Sequence, residues 1–241
     1  MILGHRGVPG FDLFHYYLVN GSRPDVSVPQ LASPYVSPAD VGDRPLFLTI
    51  SPDLLRFASE DGEDKDTLPS DLWYVPVMAA PSPFVSWLGG HPLTLYEART
   101  QPPPLFADDP HPQHIVGKEM NGVRLLGFDL DDTQVTAGGA LHLRLYWQPV
   151  VPPALSYYKV SLVLGDDRYR ETHTLGFGLL ERYQRDQQLP AGATIVEDYQ
   201  LIVMSSLSAG QHELRLMTSD FGALGTRTEE SVDLAEIEVT K

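Results

Sequence analysis

Eight histidines and 32 acidic side chains give this chain the raw material for metal or acid–base chemistry, provided that spacing gathers some of them. The densest gathering is Asp108-Asp109-Pro110-His111-Pro112-Gln113-His114, with two carboxylates and two imidazoles in seven positions, a donor set that a divalent metal could use. An extended proline-rich stretch fixes ligand geometry poorly, and no glutamate accompanies the histidines as in a helical HExxH motif, so solvated polarity is the reading. Asp129, Asp131 and Asp132 place hard oxygens as a calcium loop does, but the glycine and the distant bidentate glutamate are missing. Acids before a threonine are ordinary in a β-turn. Glu60 to Asp66, EDGEDKD, reads as a solvated acidic loop. No metal site and no cofactor is expected.

Nucleophilic chemistry fares no better. There is no GxSxG elbow, and Ser205 and Ser206 stand between a strand and a turn without a motif-placed base. Gly4, Gly7 and Gly10 are loosely like a phosphate-binding loop but do not match GxGxxG, and a plain loop is expected. Asn20-Gly21-Ser22 is a glycosylation sequon in form, and Asn-Gly after a helix is a natural stop. No catalytic residue is therefore assigned. Aromatic side chains leave one binding option, because sugar rings stack on exposed tyrosine faces. Tyr146, Tyr157 and Tyr169 fall on outward faces or loops and are the candidate glycan contacts, whereas Trp147 and Tyr158 alternate inward.

The elements that must position these residues fall into two compositional halves. Of 21 prolines, 17 lie before residue 121. The run from Gln101 to Lys118, with Pro102, Pro103, Pro104, Pro110 and Pro112, predicts an extended connector. Beyond it, Leu141, Leu143, Leu145 and Trp147 share one face while His142, Arg144 and Tyr146 share the other, the period of a half-buried strand. Tyr158 to Leu164 repeats the pattern. So does Ile195 to Val203, with Glu197 as the exception, followed by Leu214 with Leu216 and by Glu236 to Val239. Turn signals separate these segments, and an antiparallel immunoglobulin-like β-sandwich over residues 119–241 is the expectation. Leu179 to Gln188 adds a short helical turn.

Before the connector, strand candidates at Met1 to Gly4, Val26 to Val28, Leu46 to Ile50 and Trp73 to Met78 alternate with helix candidates at Phe11 to Val19 and Leu54 to Ala58. This order predicts a small α/β unit over residues 1–100, Rossmann-like with a mostly parallel sheet. The architecture expected is thus α+β in two domains, joined by a linker at 101–118. A strand at the first methionine suggests a fragment of a longer protein or an abrupt start.

Charge narrows the partners. Thirty-two acidic against 17 basic residues give a net charge of −15, which repels nucleic acid and anionic lipid surfaces. The absence of cysteine removes disulfides, thiolate metal sites and Cys nucleophiles. The opening MILGHRGVPGFDLFHYYLV lacks the basic and apolar regions of a signal peptide. Leu72 to Tyr96 has no formally charged residue in 25 positions, yet Pro76, Pro81, Pro83 and Pro92 interrupt it, so buried strands rather than a membrane span are expected. The chain reads as soluble, without direct membrane insertion.

Two groups of residues carry a family resemblance. Phe14-His15-Tyr16-Tyr17-Leu18-Val19, Arg23-Pro24-Asp25-Val26, Arg44-Pro45-Leu46-Phe47-Leu48 and Tyr74-Val75-Pro76-Val77 form the first; Val123 to Leu130, Ala137-Gly138 and Leu141 to Gln148 form the second. Together they resemble the C-terminal extracytoplasmic region of bacterial, Chloroflexi-type, protein O-mannosyltransferase-like polytopic membrane glycosyltransferases. The family's membrane-embedded core and its catalytic acids have no counterpart positions here. The resemblance implies a non-catalytic accessory region on the extracytoplasmic face of a bacterial membrane, contacting glycan, acceptor or a partner such as the membrane glycosyltransferase. Two other readings are a stand-alone hydrolase acting on glycosides or esters, and a structural spacer.

Overall fold

A computed structural model describes residues 2–4, 46–50, 73–81, 93–99, 101–150, 158–180, 183, 190, 192–220 and 228–241. Fourteen strands run through these residues. The first four are β1 (Ile2–Gly4), β2 (Leu46–Ile50), β3 (Trp73–Ala80) and β4 (Leu93–Arg99). The proline-rich stretch contributes β5 (Phe106–Ala107) and the start of β6 (His114–Met120). There follow β7 (Val123–Leu130), β8 (Gln134–Thr136), β9 (Ala140–Pro149), β10 (Tyr158–Leu164) and β11 (Arg170–Thr174). The last are β12 (Thr194–Ile202), β13 (Gly210–Asp220) and β14 (Thr228–Thr240).

These strands form two sheets. The larger runs β1-β2-β4-β3-β12-β9-β7-β6, with β5 also on β12, and the smaller runs β11-β10-β13-β14-β8. The side chains between the sheets explain why they pack. Leu141, Leu143, Leu145 and Trp147 of β9 are at most 1% exposed, and they share one apolar cluster with Tyr158, Val160 and Leu162 of β10 and Leu214 and Leu216 of β13. In β9 and β13 the alternate residues Leu141, Leu143 and Leu145 and Leu214 and Leu216 turn inward, as period-two alternation requires when two sheets meet face to face, while β10 is buried along most of its length. The Tyr158 hydroxyl finds a partner across this layer, donating to the Met120 carbonyl at 2.9 Å. A β-sandwich is therefore the architecture of the C-terminal part.

The expected α/β unit is not present among the described residues. Among the described residues only Leu179, Leu180 and Tyr183 are α-helical, and β2 and β3 both pair antiparallel with β4, leaving β1 against β2 as the one parallel pair within β1–β4. The physical reason lies in strand direction: β4 runs antiparallel to both of its neighbours, where strands joined by helical crossovers would run parallel. The helix candidates at Phe11 to Val19 and Leu54 to Ala58, the strand candidate at Val26 to Val28, the sequon and the acidic loop at 60–66 lie outside the described residues. The sandwich is also not purely antiparallel. β14 pairs with β8 in parallel and β12 pairs with β3 in parallel, so both sheets are mixed and the antiparallel immunoglobulin-like description does not hold.

The proline-rich stretch does not stand away from the sheets. Leu105 is 5% exposed, its carbonyl accepts from the Val196 amide at 2.9 Å, and β5 lies along β12 at Thr194 and Ile195. Ala79 of β3 and Tyr96 of β4, both fully buried, belong to the same apolar cluster as the sandwich residues.

Candidate functional site

Strands β7, β9 and β12 lie side by side, and their registers bring polar residues into rungs on the outward face of the larger sheet. Arg144 pairs with Asp129 on one side and Asp198 on the other, which makes a charged rung of acid, base and acid. One step along, His142 faces Gln200 of β12. Tyr146, a further step the other way, faces Gly127 and Val196. Opposite charges placed directly across an antiparallel pair attract, so the rung supports the register that creates it.

Side-chain geometry ties the rungs into one network. Asp198 accepts from the Arg144 guanidinium through Oδ2, at 2.9 Å from Nε and also from Nη2, and its Oδ1 lies 2.6 Å from His142 Nε2. The other ring nitrogen of His142 lies 2.6 Å from Asp131 Oδ2. An imidazole that meets a carboxylate at each nitrogen donates twice only when protonated. Partial burial opposes that charge, but the hydrogen bonds and charges of Asp198 and Asp131 outweigh it and hold the His142 pKa above its ordinary value. Asp129 is committed within the fold: its two oxygens accept from the Gln113 amide and the Tyr146 hydroxyl, both at 2.7 Å. His142, Arg144, Asp131 and Asp198 retain side-chain exposures between 36% and 63%, so this network faces solvent.

A second network sits on the inward face of the same strands. Alternation sends Glu197 inward where its neighbour Asp198 goes outward, and Glu197 is 2% exposed. Its Oε2 accepts from Trp147 Nε1 at 2.8 Å, and its Oε1 accepts from the Gly176 amide at 2.7 Å and lies 3.1 Å from His173 Nε2. His173 Nδ1 lies 2.8 Å from Glu171 Oε2. Burial disfavours the imidazolium, but the flanking charges of Glu171 and Glu197 and their hydrogen bonds outweigh it and raise the His173 pKa to about 9. Phe177 stacks on that ring at 3.7 Å between centroids, 7° from parallel, and Tyr199 meets it edge-on. The Tyr199 hydroxyl is buried with no hydrogen-bond partner, and burial together with the two carboxylates lifts its pKa well above the usual value.

The backbone that seals this inner network is unusual. Gly176 and Phe177 are consecutive left-handed residues, with φ of 72° and 52°. In this turn the Gly176 amide donates to Glu197, and Phe177 adopts a conformation that costs a non-glycine residue about 1–2 kcal/mol.

Of the three tyrosines singled out as glycan contacts, two are described. Tyr146 is on the outward face, as its alternation requires, but is only 7% exposed and holds Asp129 through its hydroxyl. Tyr169 lies in a 3-10 turn, Asp167–Tyr169, and donates its hydroxyl to the Ser206 carbonyl at 3.1 Å. Tyr157 lies outside the described residues. Of the Asp108–His114 stretch, His111 meets Asp109 at 3.1 Å in full exposure, while His114 stacks on Phe128. Among the described residues no group of three or more His, Cys, Asp or Glu could hold a metal ion. Asp132 caps its own turn by accepting from the Gln134 amide. Sequence reasoning placed His142 and Arg144 outward and marked Glu197 as an exception; it missed His173 and Glu171, whose signal was an i, i+2 acid and imidazole in a short strand.

No family model matches the chain, and no curated protein sequence matches it. Among solved structures, one described as the crystal structure of the C-terminal domain of wzt is similar over 51% of this chain and 75% of that one, at 12% identity and a TM-score of 0.36.

No helix among the described residues is long and apolar enough to cross a membrane.

Proposed function

We propose that this protein is a non-catalytic binding module that contacts glycan through the outward face of β7, β9 and β12. The observation that carries the proposal is the Asp131–His142–Asp198–Arg144 network, a half-exposed row of paired donors and acceptors on one face of the larger sheet. Sugar hydroxyls both donate and accept, so they suit a surface that alternates carboxylate oxygens with guanidinium and imidazole nitrogens. Rigid strands hold the row in place, which limits the entropy lost on binding. In this reading Tyr146 acts by holding Asp129 and not by stacking. The inner network serves stability: Glu171, His173 and Glu197 are buried from solvent.

The resemblance to the end regions of protein O-mannosyltransferase-like membrane proteins supports the wider setting proposed here. In that setting the module works at the extracytoplasmic face of a bacterial membrane beside a glycosyl-transferring partner. A glycan panel screened against the purified chain, followed by calorimetry on the hits, tests the binding claim. Asp198→Ala and Arg144→Ala are each expected to weaken a hit at least about tenfold, the worth of one charge-assisted hydrogen bond. Binding that survives both substitutions in folded protein would move the site elsewhere, and silence across the panel would remove the glycan claim.

A further inference from the structure

The outward network is electrically unbalanced, and that imbalance has a bearing on which sugars it can hold. Three carboxylates, Asp129, Asp131 and Asp198, stand against the single fixed cation Arg144 and the titratable His142. With His142 protonated the group sums to −1, and with it neutral to −2. The neighbouring rungs do not correct the deficit: Arg124, on β7 opposite Gln148, lies 3.6 Å from Glu119, and Gln200 and Val196 are uncharged. The surrounding field has the same sign, since the whole chain carries −15.

The free hydrogen-bonding capacity does not reverse this charge. Asp131 and Asp198 keep exposed lone pairs, both ring nitrogens of His142 are engaged, and Arg144, with Nε and Nη2 directed at Asp198, keeps its Nη1 hydrogens and one on Nη2. Hydroxyl and ammonium groups can meet the carboxylates directly, whereas a ligand carboxylate or phosphate could reach the remaining guanidinium hydrogens only beside those like charges.

Resting on the glycan reading above, we infer that the outward row selects its ligand by charge, taking sugars that are neutral or bear a free amino group and rejecting uronate-, sialate- or phosphate-bearing ones. Asp198 is the specificity-determining residue, because it alone accepts from both cations while staying exposed. The ordering follows from like charges at hydrogen-bonding distance, which repel measurably even near a protein surface.

Three oligosaccharides of equal ring number test this with the full chain: a glucosamine oligomer, its N-acetylated counterpart and an oligogalacturonate, each titrated calorimetrically. The N-acetylated and amino forms are expected to bind at least about tenfold more tightly than the uronate at low ionic strength, with the gap narrowing as salt rises. Asp198→Asn should shrink the difference between amino and uronate ligands. Glu236→Gln on β14 removes the same charge from the other sheet and should leave it unchanged. That control separates the site from general attraction to an acidic protein, and a thermal melt verifies that both variants fold.

Uronate binding as tight as the neutral oligomer's would overturn the charge selection and leave the glycan reading standing. Equal responses to Asp198→Asn and Glu236→Gln would overturn the assignment to this row. Failure of all three probes, with the wider panel also silent, would bring down the glycan reading itself.

Discussion

His142 and His173 pose the same local problem, an imidazole between two carboxylates, with opposite exposure. The difference in surroundings decides what each is worth. Around His142 water screens the charges, so His142→Ala should change unfolding free energy by less than about 1 kcal/mol. Around His173 there is no water to take over: removing the imidazole leaves Glu171 and Glu197 buried without their shared partner, at a cost of about 3–5 kcal/mol. Chemical denaturation of the two variants beside the parent protein checks the contrast, and similar losses would contradict it. His173 also sets a pH dependence. Its folded pKa of about 9 stands above the ordinary 6.5, so its stabilisation is complete below pH 6.5 and fades as pH rises toward 9. Stability should therefore fall across that window by roughly 3 kcal/mol, and most of that slope should be lost in a His173→Gln variant, leaving the smaller share from His142.

At the scale of elements, two glycines decide how segments approach. A methyl group on Gly176 would lie 2.5 Å from Leu180 Cγ, on a backbone with φ of 72°. Gly176→Ala is thus expected to lose about 1–3 kcal/mol and to loosen the turn that seals Glu197, readable by hydrogen exchange at the Gly176 amide. At Gly127 the same methyl would meet the His114 carbonyl at 2.2 Å, so an alanine there should detach β6 from β7. Much of this level was legible in the sequence. The spans of β2 and β10 are those expected from the sequence, β9 runs one residue further at its start and two at its end, and β12 starts and ends one residue earlier. What stayed hidden were strands whose apolar face is diluted. β6 exposes Ile115 at 84%, β5 has two residues, and β11 buries a glutamate and a histidine where the pattern expects apolar side chains. Pairing direction was illegible too, because alternation says which face a residue takes and nothing about the neighbouring strand. The inner site was hidden for the same reason: Glu197, Glu171 and His173 meet only through the packing of one sheet on the other.

At the scale of the whole molecule, described strands on both sides of the proline-rich stretch contribute to one apolar cluster. Ala79 and Tyr96, from the strands before the proline-rich stretch, pack in the cluster that contains Trp147, Tyr199 and Leu201. β3 also takes the edge of β12 at Gln200 and Leu201. A fragment beginning at Gln101 would lose those contacts and bare an edge of β12, the strand that carries both Glu197 and Asp198. Its melting temperature should lie below that of the full chain, and it should associate at concentrations where the full chain does not. Differential scanning calorimetry with light scattering measures both, and an unchanged melt would show that β12 needs no support from β3.

The inner network carries one more implication, for how the strands find their partners. Hydrophobic alternation has a period of two, so it penalises a slip of one residue but is blind to a slip of two, which returns every apolar side chain to the interior. The contact of His173 with Glu197 is not blind to it. It closes only when β12 is aligned on β9, so that Glu197 meets the Trp147 indole, and β11 is aligned on β10, so that Val160 faces His173. Two sheets each shifted by a full period would satisfy the oil-like part of the core and strand a bare carboxylate within it. Glu171, His173 and Glu197 thus act as an error check on assembly, rejecting misalignments that the apolar pattern would accept.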